Sequence, residues 1–99
     1  MLNIDSKNEG GSLSVVLDGR LDTITAPELE KTLNASLDGV TALILDFEKL
    51  TYISSAGLRV LLAAQKRMSS QGSMKVMHVS DAVMEIFEVT GFSGILTIQ

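Results

Sequence analysis

Leu13, Val15 and Leu17 alternate with Ser14, Val16 and Asp18, and Leu2 and Ile4 show the same spacing ahead of Glu9-Gly10-Gly11. A period of two turns one side of a strand toward a core, and the glycine pair between two such runs marks a turn. An opening β-hairpin is therefore predicted. After Gly19-Arg20-Leu21-Asp22, read as a turn, Thr25-Ala26-Pro27-Glu28 has the spacing of a capping box, with Thr25 accepting from the Glu28 amide and Glu28 reaching back. Pro27 fits a first helical turn, where its missing N–H leaves no bond unmade. The first helix should start at Ala26, show Leu29, Leu33 and Leu37 on one face, and stop at Asp38-Gly39.

Residues 41–47 hold the run Ala42-Leu43-Ile44-Leu45, the pattern of a central strand buried on both faces. Leu58, Leu61 and Leu62 return to helical spacing up to Ser69-Ser70-Gln71-Gly72, and residues 74–79 read as another strand that includes His78. Ser80-Asp81 caps a third helix with Val83, Ile86 and Phe87 on one face, Gly91 closes it, and residues 95–98 are a candidate final edge strand. The order predicts a single α/β domain over residues 1–99. Its mixed, mostly parallel sheet has four to five strands, an N-terminal hairpin and about three main helices, joined by right-handed crossovers.

Composition narrows the function. The 99 residues carry 12 acidic against 8 basic side chains, net −4, the wrong sign for a nucleic-acid backbone or an anionic membrane surface. There is no cysteine and one histidine, so neither a disulfide nor a cysteine or multi-histidine metal centre is expected. Met1-Leu2-Asn3-Ile4-Asp5 is not the basic start of a signal sequence, and the apolar stretch near residues 60–64 is too short to span a bilayer. A cytoplasmic domain without membrane insertion and without a cofactor is expected.

Candidate chemistry concentrates at Leu50-Thr51-Tyr52-Ile53-Ser54-Ser55-Ala56-Gly57-Leu58-Arg59-Val60, where a strand should give way to the second helix. Ser54 or Ser55 suits an N-cap, and the helix start tolerates an anion such as phosphate. Asp22 suits a turn that bonds its own backbone, and Asp46 a polar organiser at the end of the buried strand. Asp22 and Asp46 lack a third ligand, so no magnesium site is expected. Ser55 sits in no Gly-x-Ser-x-Gly frame and His78 falls in a strand, so a hydrolase triad is rejected. Met74, Met77, Met84 and Phe87 read as adaptable packing, and Arg59, Lys66 and Arg67 give the second helix a basic face.

The hairpin, Gly19-Arg20-Leu21-Asp22, Leu45-Asp46-Phe47, Ser54-Ser55-Ala56-Gly57-Leu58 and Gly91-Phe92 together resemble the STAS family, specifically the bacterial anti-sigma factor antagonists. The resemblance covers nearly the whole chain. It implies a non-enzymatic protein, monomeric when free, that binds a serine-kinase anti-sigma factor and so frees a sigma factor. The kinase switches it off by phosphorylating a serine at the start of the second helix, and a protein phosphatase resets it. Aligned on Gly57-Leu58, the acceptor falls on Ser55, with Ser54 as the alternative; the implied partner surface is Asp22, Thr23, Ser54, Ser55, Ala56, Gly57, Leu58 and Arg59. Many phosphorylated members carry Asp immediately before the acceptor, whereas this chain has Ser54 there and Ala56 after it. An alternative that keeps the fold is a non-phosphorylated STAS subunit of a larger signalling or lipid-transport assembly.

Overall fold

The computed structural model describes residues 2–99. Strands β1 (Leu2–Glu9) and β2 (Ser12–Leu21) form the predicted antiparallel hairpin, joined at Gly10-Gly11. Helix α1 (Ala26–Ser36) leads to β3 (Ala42–Ile53), α2 (Ser55–Gln71) to β4 (Ser73–Met77), and α3 (Asp81–Thr90) to a 3-10 turn at Phe92–Gly94. The sheet runs β1-β2-β3-β4, with β2, β3 and β4 mutually parallel. This is the expected mixed α/β arrangement, with four strands among the described residues.

One face of the sheet is apolar across its width. Leu13 lies beside Leu43 and Met74, and Val15 beside Leu45 and Val76, all at most 2% exposed. Leu29 and Leu33 of α1, and Leu61, Ala64 and Met68 of α2, join the same buried cluster. The spacing of four in α1 and of three and four in α2 puts each set on a single helical stripe. Helix α3 adds Val83 and Phe87; the Phe87 ring sits 6.3 Å from that of Phe47 in a tilted pair.

Several expectations change. The central strand is not buried on both faces: Leu43, Leu45 and Phe47 are buried while Ala42, Ile44 and Asp46 are half-exposed, since the buried residues of all three helices cluster with the first set. Nor does it end at Phe47. It continues to Ile53 through two places where β3 holds one more residue than β2, between the Val16–Asp46 and Asp18–Lys49 pairs and between Gly19–Leu50 and Arg20–Tyr52. Each extra residue flips the alternation, so Phe47, Leu50 and Ile53 bury at intervals of three. Gly19, Arg20 and Leu21 belong to β2 and not to a turn, because they pair with this extension.

Strand β4 stops at Met77, and His78 lies beyond it in the left-handed region at φ 58°. The final edge strand reduces to one parallel bridge, Ile98 to Val76: Val76 N donates to Thr97 O and Gln99 N to Val76 O, both at 2.9 Å. Phe92–Gly94 coils the chain just before, leaving too short an extended piece for a ladder. The ends of α3 match their predicted chemistry. Ser80 Oγ accepts from Val83 N, and Gly91 takes φ 82°, a conformation that glycine adopts without steric cost.

Candidate functional site

The end of β2 and the beginning of α2 are tied together by one backbone bond, Ser54 N to Leu21 O at 2.8 Å. The turn that begins at Asp22 therefore lies beside the Ser54-Ser55 segment. Both loops are internally fixed.

In the first loop Asp22 Oδ1 accepts from the amides of Ile24 and Thr25, each at 3.0 Å, and from the Thr25 hydroxyl. The Asp22 carboxyl is held below its ordinary value chiefly by the Thr25 amide; the Thr25 hydroxyl and the Ile24 amide add to this against a partial desolvation penalty. Thr25, 4% exposed, is the buried polar centre of the turn: its Oγ1 accepts from Asp22 N, and its single hydrogen is shared between Arg20 O at 2.8 Å and Asp22 Oδ1 at 3.1 Å. This replaces the expected capping box. Thr25 has helical dihedrals, φ −92° and ψ −20°, and no side-chain cap bond, because a capping side chain needs extended backbone to reach the N3 amide. The Glu28 amide instead bonds the Thr25 carbonyl at 3.0 Å.

The Asp22 turn leaves Ile24 84% exposed, and beside it the Arg20 guanidinium stands 4.4 Å over the Tyr52 ring, with Nε 3.9 Å from Asp22 Oδ2. Sequence reasoning missed Thr25, Arg20, Ile24 and Tyr52 as a set. The Arg20–Tyr52 pairing depends on the second register slip, which no local pattern reveals.

In the second loop the two serines differ. Ser54 is the N-cap of α2, in extended backbone, and its half-buried Oγ accepts from Gly57 N at 3.3 Å. Ser55 is the first helical residue and its side chain is exposed. Gly57 is there for close approach: a Cβ would lie 2.8 Å from Leu21 Cγ and 2.9 Å from Ile53 Cγ1. Leu58 is buried in the core, so Gly57 and Leu58 seat the first turn of α2 while Asp22, Thr23, Ser55 and Arg59 face outward wholly or in part. An open groove runs between the helix starts, with Thr23, Pro27 and Glu30 on one wall and Ala56, Arg59 and Val60 on the other. Pro27 and Glu30 are further members that the sequence did not single out.

Asp46 and His78 stand apart from this surface as a pair. Asp46 lies inside β3, not at its end, and its Oδ1 receives the Glu48 amide at 3.0 Å and the His78 Nδ1 at 3.1 Å. Partial burial pushes the Asp46 carboxyl up, but the Glu48 amide and then His78 outweigh it, leaving it below its ordinary value. Of the basic face, Arg67 is taken up by Asp38 at 2.6 Å. Among the described residues no group of three or more His, Cys, Asp or Glu is placed to hold a metal ion, and no helix is long and apolar enough to cross a membrane.

The whole pattern, hairpin through Ile98, is matched by the STAS domain family over residues 3–99. The chain belongs to the STAS family. A relative of this STAS domain from Bordetella bronchiseptica, BtrV, named as a candidate anti-sigma factor antagonist, is 38% identical over 90 residues, which span 89% of this chain and 78% of BtrV. The crystal structure of an anti-sigma factor antagonist from Mycobacterium paratuberculosis superposes with a TM-score of 0.89 at 23% identity, covering 99% of this chain and 85% of that one. The Bacillus cell-fate determinant SpoIIAA in its phosphorylated form superposes at 0.75 with 17% identity, covering 100% and 91%. At these identities the two structures establish the fold.

Proposed function

We propose that this STAS domain is a cytoplasmic anti-sigma factor antagonist that binds a serine-kinase anti-sigma factor through the Asp22 turn and the start of α2. Phosphorylation of Ser55 releases it and a protein phosphatase restores it. The protein acts by binding and not by catalysis, as the antagonists of its family do. The observation that carries the reading is the exposed Ser55 on the first turn of α2, beside a rigid turn, while the neighbouring Ser54 is committed to capping Gly57. A kinase needs an accessible hydroxyl, and Ser54 Oγ is half-buried in a structural bond. That division of labour favours Ser55 over Ser54 as acceptor. The names of the Bordetella relative and of the Mycobacterium structure, and the phosphorylated form of SpoIIAA, support the same reading.

Phosphorylation would act through charge. A phosphoserine brings about −1.5 to −2 charge and three acceptor oxygens to a surface that otherwise presents a neutral hydroxyl. Burying that charge against a partner without compensation costs on the order of a hundredfold or more in affinity. The first test is peptide-level mass spectrometry of the protein purified from its own host, with the tryptic segment around Ser54 and Ser55 resolved site by site. Phosphate on Ser55 is expected. A peptide unmodified under every growth condition would contradict the switch and favour the constitutive interaction subunit.

A further inference from the structure

Ser55 and Arg59 stand four residues apart at the start of a 17-residue helix, both on its exposed surface. At that spacing side chains lie one above the other, with Cβ atoms roughly 5–6 Å apart, a distance the flexible arginine spans easily. The other arginines are occupied. Arg20 stacks on Tyr52 beside Asp22, and Arg67 bonds Asp38. Arg59 is in no ion pair among the described residues, although Glu30 faces it across the groove.

Resting on the reading of Ser55 as the acceptor, we infer that a phosphate on Ser55 is held by Arg59, so that phosphorylation also withdraws this cation from the groove between α1 and α2. The switch then acts twice on the partner surface. It adds a dianion at Ser55, and it removes the guanidinium that an acidic group of the kinase would meet beside Glu30. A guanidinium fork suits phosphate oxygens better than a single carboxylate, so the phosphate outcompetes Glu30 for Arg59. Asp22, across the loop junction, has Oδ1 taken by Ile24 and Thr25 and Oδ2 turned to Arg20 at 3.9 Å, so it does not contend for Arg59.

The test needs neither the kinase nor the partner. Phosphoserine is installed at position 55 during translation, and the second ionisation of the phosphate is followed by phosphorus NMR in the Arg59, Arg59→Gln and Lys66→Gln proteins, with circular dichroism confirming that each is folded. A cation that holds the dianion lowers its pKa. The value in the Arg59 protein is expected to lie below that in Arg59→Gln by roughly 0.3 of a unit or more, a difference that shrinks in 1 M salt. Lys66→Gln, two turns further along, should leave it unchanged. Equal values with and without Arg59, or an equal change on losing Lys66, would overturn the pairing. Because the phosphate is placed synthetically, that failure is distinct from finding Ser55 unmodified in the host.

Discussion

Two neighbouring serines show how one atom's partner decides a residue's role. Ser54 Oγ closes the first turn of α2, and an N-cap of this kind stabilises a helix by about 1 kcal/mol. Ser54→Ala is expected to lose about that much in urea denaturation, whereas Ser55→Ala should stay within about 0.5 kcal/mol of the parent, as exposed positions do. Thr25 is the opposite case, a buried hydroxyl serving Asp22 N and Arg20 O at once. Thr25→Val keeps the shape and strands those groups, with an expected cost of about 1–3 kcal/mol. The Asp22 carboxyl next to it titrates below its ordinary value of 3.8, so the charged form is favoured by folding. Its contribution is complete above pH 3.8 and fades as the pH falls below that toward the folded-state value. A denaturation series from pH 5 to pH 2 should therefore show a steeper loss in the parent than in Asp22→Asn. A serine cap at Ser54 or Ser55 and an Asp22 turn bonding its own backbone were readable from residue type, but the role of Thr25 was not: Thr25-x-x-Glu28 fits a capping box, and only the helical dihedrals of Thr25 turn its hydroxyl backward to Asp22.

At the scale of elements, the hairpin, the three helices and the mixed, mostly parallel sheet were legible because each element has a clean period and a recognisable end. Ser80 and Gly91 bracket α3 as their side chains dictate, and Gly10-Gly11 turns the hairpin. The second half of β3 was not legible, since burial there repeats every third residue, at Phe47, Leu50 and Ile53, and no strand template has that period. The slips that cause it also deliver Ile53 and Leu21 against Gly57. Alanine at 57 would gain about 1 kcal/mol of helix propensity but drive its Cβ into Leu21 and Ile53, an overpacking worth about 1–3 kcal/mol or more. A net loss of stability is expected for Gly57→Ala, read as a lower urea midpoint with an unchanged slope. The candidate surface was legible in part: Asp22 and the two serines were singled out in the sequence, whereas Pro27, Glu30 and Tyr52 lie beside them through contacts distant in sequence.

For the molecule as a whole, the apolar face of the sheet and its helices form one continuous core that holds two loops rigidly at one end. Helix α3 is part of that core through Phe87, 0% exposed and paired with Phe47. Phe87→Ala should cost about 3–5 kcal/mol, a large fraction of the stability of a domain this size, seen as a much lower thermal midpoint. On the proposed function, this stiff scaffold would present the Ser55 hydroxyl, Arg59 and the fixed Asp22 turn to a protein partner. The proposed switch would then act through the charge of the phosphate. Calorimetric titration of the host's serine-kinase anti-sigma factor with this protein, unmodified and with phosphoserine at position 55, tests that claim most directly. The account predicts that the phosphorylated protein binds on the order of a hundredfold more weakly while Ser55→Ala binds as the parent does. Equal affinities of the phosphorylated and unmodified proteins would contradict it.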